Sequence, residues 1–192
     1  MGEPEQLVCR DAADWRSWLN AHEHLSDGVW LMLAKKGTQE PTSLSYAQAL
    51  DEALCSGWID GQVKSIDAAV YQQRFTPRRK RSLWSARNVG HIERLRQEGR
   101  LRASGLAEVE RAQSDGRWAA AYAGQATMSV PDDLIAALAA DEKARTAFES
   151  LTSQNRYAVL HRITTATSAQ TRVNRLERLL AMLARGDTPH PQ

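Results

Sequence analysis

The sequence is poor in cysteine, has no long apolar run and carries none of the short motifs that mark common enzyme classes. Cys9 and Cys55 are its only thiols. They are too far apart for metal-ligand spacing or a disulfide framework, so a reducing compartment is expected. No stretch approaches the roughly 18 consecutive apolar residues of a membrane-spanning helix. The first residues, MGEPEQLVCRDAADW, are acidic where a signal peptide would be basic, and no apolar segment follows them. A soluble, cytoplasmic protein without membrane insertion is expected. GxSxG, Walker A, GxGxxG and HExxH patterns are all missing. The histidines, His22, His24, His91, His161 and His190, assemble no ligand set, and His22 and His24 fall on different sides of a helix. Neither a metal nor a cofactor is therefore expected. There is no internal repeat and no low-complexity tract.

Charge is abundant and unevenly placed. The formal net charge is +2, yet residues 1–73 hold 5 basic and 11 acidic side chains, and residues 74–102 hold 10 basic and 2 acidic. The remainder is neutral. A whole-chain value hides one local basic block.

Periodicity and capping residues give the elements. Asp11 can cap a helix reaching about His24. Residues 28–34 form a short apolar run of strand length. Ser45 and Gln48 make a capping-box pattern before a helical stripe of Tyr46, Ala49, Leu50, Ala53 and Leu54, and Gly57 suits the position after that helix. Strands are predicted at 58–64 and 70–76, with Asp60-Gly61 as a turn or bulge. From Ser85 onward the chain reads as helical. Ser85, Ser104, Asp141, Ser153 and Ser168 can open successive helices, and Pro131 sits where a first helical turn accepts proline. Ile135 and Val173 are assigned to inward faces. The expected fold class is α+β: a small sheet with packed helices, followed by an all-helical C-terminal part. The expected domains are 1–125 and 126–188, with 189–192 as a tail and residues 187–192 frayed.

The basic block supplies the site candidate. Arg74, Arg78, Arg79, Lys80 and Arg81 fall within eight positions, with Trp84 just after and Ser85 at a helix start. Guanidinium forks take phosphate or carboxylate, an indole offers a stacking face, and free helix N–H groups favour anions. A solvated loop over a buried Trp84 is the competing reading. Trp58 and Asp60 alternate onto one face of a strand. They read as a pocket wall, or as a core indole beside a turn. Asp60 is the one candidate general base. Lys35 and Lys36 leave the first strand and can extend the basic surface. Cys55, at a helix C-terminus, reads as a buried structural thiol. Arg172, Arg175 and Arg178 read mostly as an exposed face, with a secondary role in anion contact as the other reading.

At these residues the chain resembles the YdeI/OmpD-associated, or bacteriocin-protection, family of bacterial proteins. The matching motifs run from Trp30-Leu-Met-Leu-Ala-Lys-Lys36 through Ala53-Leu-Cys-Ser-Gly-Trp-Ile-Asp-Gly61, Phe75-Thr-Pro-Arg-Arg79, Ser82-Leu-Trp-Ser85 and Arg94-Leu-Arg-Gln-Glu-Gly-Arg100. They continue through Gly116-Arg-Trp118, Pro131-Asp-Asp-Leu134, Asn155-Arg-Tyr157 and Thr171-Arg172. The resemblance departs at Thr165-Ala166-Thr167, where the family pattern has Ala-Lys; one cation is thereby lost from any charged site in the C-terminal helices. The resemblance implies a YdeI-like first part, an OmpD-associated second part and a link to stress or bacteriocin tolerance, but no reaction. The reading that follows is a non-enzymatic cytoplasmic protein binding an anionic ligand: a nucleotide, a nucleic acid or an acidic partner. The alternatives are an enzyme using Asp60 with an arginine clamp, or a protein-interaction module docking through its C-terminal helices.

Overall fold

The structure, a computed structural model, describes residues 6–191. Along the chain lie β1 (Gln6–Leu7), α1 (Ala12–His22), β2 (Val29–Ala34), α2 (Tyr46–Cys55), β3 (Trp58–Ser65) and β4 (Val70–Pro77). Then come α3 (Ala86–Gln97), α4 (Ala103–Ser114), α5 (Asp132–Ala139), α6 (Glu142–Glu149), α7 (Ser153–Thr164) and α8 (Ala169–Ala184). A four-stranded sheet with packed helices, followed by helices alone, is the α+β arrangement read from the sequence. The chain divides into two compact units, residues 1–84 with 88–120 and residues 85–87 with 121–192.

In the first unit, local signals set the helix ends. Asp11 accepts hydrogen bonds from the Ala13 and Asp14 amides at 2.8 and 3.0 Å, and Ser45 and Gln48 complete the capping box of α2. Gly57, with φ 72°, takes the left-handed conformation that ends α2 and turns the chain straight into β3. The sheet order is β1-β2-β4-β3, parallel only between β1 and β2. Val29 stands opposite Phe75 and Leu31 opposite Gln73, and the β3–β4 register shifts at a bulge between Asp60 and Val63. Asp67 holds the turn between these strands by accepting from the Ala69 and Val70 amides. One sheet face carries Val29, Leu31, Leu33, Trp58 and Phe75 against Trp15 and Leu19 of α1 and Ala49 and Ala53 of α2.

Glu52 ties the helices of this unit together. Glu52 is 1 % exposed, and its carboxylate receives Arg16 at 2.7 Å, Arg100 at 2.8 Å and Arg102 at 3.0 Å. Burial alone would raise its pKa; hydrogen bonds from Arg16, Arg102 and Arg100 overcome that and hold it at about 2. Arg102 also donates to the Glu52 carbonyl and to Ser56, which closes the C-terminal end of α2. Here α4 passes so close to α2 that a Cβ on Gly105 would lie 2.3 Å from the Cys55 carbonyl oxygen.

The second unit buries Leu134, Leu138, Ala144, Phe148, Val159, Leu160, Ile163, Leu179 and Leu183 in one cluster. Asp141 caps α6 and Ser168 caps α8. Arg172 grips Asp133 with two hydrogen bonds, at 2.6 and 2.9 Å, joining α8 to α5.

Four expectations are corrected. Arg102 and Thr152, not Ser104 and Ser153, precede α4 and α7. Ile135 and Val173 point outward, 53 % and 48 % exposed, because the clusters they were assigned to are already filled by their neighbours. Strand β1 is an addition to the predicted elements, because two residues carry no periodic signal. Finally, the segment expected to fray is anchored at His190, while Gln192 lies outside the described residues. The His190 amide donates to the Asn155 side chain at 2.8 Å, and the Asn155 amide group donates back to the His190 carbonyl at 3.1 Å.

Candidate functional site

The five clustered cations occupy three different environments. Arg74 lies on β4 directly opposite Trp30, on the sheet face away from Phe75, and its Nη1 is buried without a hydrogen-bond partner. Arg78 is buried. Its guanidinium lies 3.6 Å from the Trp84 ring centre and donates to the Leu83 carbonyl at 3.1 Å. Arg79, Lys80 and Arg81 are exposed and form no ion pair among the described residues. Their backbone is nevertheless fixed. The Arg79 amide donates to Ser82 Oγ, the Ser82 amide donates to the Arg79 carbonyl, and Arg117 donates to the Ser82 carbonyl.

The aromatic and helix-end devices are arranged differently from expectation. Trp84 is 2 % exposed, with Arg78 over one side and Trp118 at 4.9 Å, so it offers no open stacking face. Ser85 bridges to Tyr122, and the Ala86 amide that begins α3 donates to the Tyr122 carbonyl. Trp58 is buried among Trp15, Trp18 and Phe75, and serves the core rather than a pocket wall. Asp60 is half-buried and accepts a 2.9 Å hydrogen bond from the Tyr46 hydroxyl. Lys35 donates to the Asp67 carbonyl, which pins the end of β2 to the β3–β4 turn, while Lys36 is exposed.

A cationic hollow lies elsewhere. In the helical unit a cleft of about 490 Å³ is lined by His161, Arg162, Thr165, Arg175, Arg178, Leu179 and Met182. Among the described residues, no carboxylate lines it. Arg175 is oriented by donating to the Arg162 carbonyl at 2.7 Å, at the C-terminal end of α7 where a cation is favoured. A second hollow of about 470 Å³ shares His161 and Arg162 and adds Tyr122, Tyr157 and His190. The His161 ring stands perpendicular to Tyr122 at 4.6 Å and tilted to Tyr157 at 5.6 Å. Burial, with the charge of Arg175 beside it, lowers the His161 pKa and favours the neutral ring. The three-residue spacing of Arg172, Arg175 and Arg178 was visible in the sequence. The opposing wall from α7, His161 and Arg162, was not.

Among the described residues no group of histidine, cysteine and carboxylate side chains could hold a metal, and no helix is long and apolar enough to cross a membrane. Both thiols are buried, and burial pushes Cys9 up to about 12 and Cys55 to about 11.

Fold and charge together define an arginine-rich, two-part α+β protein whose helical part surrounds a cationic hollow. Its C-terminal part is a domain of the YdeI/OmpD-associated type. Residues 127–186 match the model described as Bacteriocin-protection, YdeI or OmpD-Associated, a stretch that contains the whole first cleft. Residues 7–108 match a separate model, a domain of unknown function, DUF8412. No curated protein and no solved structure matches the chain.

Proposed function

We propose that the protein is a non-enzymatic cytoplasmic binding protein whose loop of Arg79, Lys80 and Arg81 engages a polyanion, with a nucleic-acid backbone as the favoured ligand. The observation that carries this reading is a contrast within the basic block. Arg94, Arg100 and Arg102 are paired with Asp51, Glu52 and Glu98, whereas the three loop cations face solvent on a fixed backbone without an acidic partner. An exposed loop with a closed indole beneath it suits an extended anion better than a nucleotide needing a stacking face. Buried, unreactive thiols are compatible with a reducing cytoplasm. The description of the model that matches residues 127–186, bacteriocin protection, supports linking this binding to bacteriocin tolerance.

The test is fluorescence anisotropy of a labelled DNA duplex with the full chain at low and moderate salt. Three phosphate contacts give a log–log salt slope of roughly −2.7. Replacing Arg79, Lys80 and Arg81 together by alanine is expected to abolish the signal. Absence of binding at low salt, or binding unchanged in the triple variant, removes the reading. Preferential binding of an acidic peptide transfers the loop to a protein partner.

A further inference from the structure

We propose that the hollow between α7 and α8 binds a small organic anion with an apolar body, an aryl or acyl carboxylate or phosphate ester. The cations come from two directions: Arg162 from α7, and Arg175 and Arg178 from α8. None of the three forms an ion pair among the described residues, although Arg172, on the same helix, is fully engaged by Asp133. Positive charges brought to one concavity without a carboxylate repel each other, and an anion there would relieve that repulsion. Arg175 is already aimed by its bond to the Arg162 carbonyl, while Arg162 and Arg178 are exposed at the rim.

The body of the ligand follows from the rest of the lining. Leu179 and Met182 form an apolar floor that a bare inorganic anion would not use. Met adapts to varied apolar shapes, and the adjoining hollow adds the Tyr157 and Tyr122 rings beyond His161. The His161 ring nitrogens make no hydrogen bond among the described residues, so one N–H is free for an anionic oxygen. The volume of about 490 Å³ lies within the range of small-molecule sites. This hollow is independent of the 79–81 loop, so either proposal can fail alone.

The experiment titrates the full chain with phenyl phosphate, decanoate and inorganic phosphate by calorimetry. Phenyl phosphate or decanoate is expected to bind at least about tenfold more tightly than inorganic phosphate, and the stronger of the two identifies an aryl or an acyl body. Arg178→Ala is expected to weaken the preferred probe on the order of tenfold, a loss of about 1.4 kcal/mol, with partial recovery in Arg178→Lys. Because Arg178 is exposed, folding is expected to survive the change, and a thermal melt checks it. The Arg79, Lys80 and Arg81 triple alanine variant is expected to bind the probe normally. Equal affinity for inorganic phosphate, no heat for any probe at millimolar concentration, or full affinity in a folded Arg178→Ala protein overturns the proposal.

Discussion

Two triads of arginine, one in each unit, behave in opposite ways. Arg16, Arg100 and Arg102 converge on buried Glu52, and their charge is consumed in joining α1, α2 and the chain leading into α4. Arg162, Arg175 and Arg178 converge on a hollow with no carboxylate in its wall. Equal numbers of the same side chain therefore make a structural tie in one place and an unneutralised concavity in the other. The deciding factor is whether an acid from another element reaches them. A buried carboxylate is tolerable only with its partners, whereas exposed guanidinium groups stay hydrated and cost little while unpaired.

The largest test of that contrast is Glu52→Ala. Removing the shared acceptor leaves partly buried guanidinium groups uncompensated, and chemical denaturation is expected to show a loss of about 3–5 kcal/mol. A loss below about 1 kcal/mol would place the Glu52 cluster in the same class as the cleft arginines. Next comes pH. The Glu52 folded pKa, about 2, lies below its ordinary 4.5, so its stabilisation is complete above pH 4.5 and disappears as pH falls toward 2. The loss is about 3 kcal/mol from this group, and it is expected to be absent in Glu52→Gln when melts are compared between pH 6 and pH 2.5. Third, Arg172→Ala removes the two-point grip on Asp133 and a bond to the Ile163 carbonyl, and is expected to cost about 1 kcal/mol, seen as a lower melting temperature of the helical unit. At the small end, Arg178→Ala is expected to change stability by less than about 0.5 kcal/mol. A large destabilisation there would make the cleft arginines structural after all. Thiol labelling sharpens the comparison further: Cys9 and Cys55 are expected to resist alkylation until the first unit unfolds, and Glu52→Ala to label faster.

What could be read from the chain was what is local. Asp11, the Ser45–Gln48 pair and Gly57 each act within a few residues, and each element they mark exists as expected. The pairings were not readable, because Glu52 meets Arg100 and Arg102 across 48 and 50 positions. The acidic character of residues 1–73 and the basic character of the next stretch had looked like separate features. In the fold, Asp51 and Glu52 from the one neutralise Arg94, Arg100 and Arg102 from the other, so much of the apparent basic patch is an internal salt network. Trp84 illustrates the same limit. An indole next to four cations reads equally well as a platform or as a core residue, and the Arg78 guanidinium placed over it decides.

The reciprocal amide clasp between Asn155 and His190 has a further consequence. His190 also borders the hollow that holds Tyr122 and Tyr157. A peptidase clipping just before Thr188 would strip away that border and break the clasp, beyond the last residue of α8. Removing the His190 border would then retune what the cavity admits.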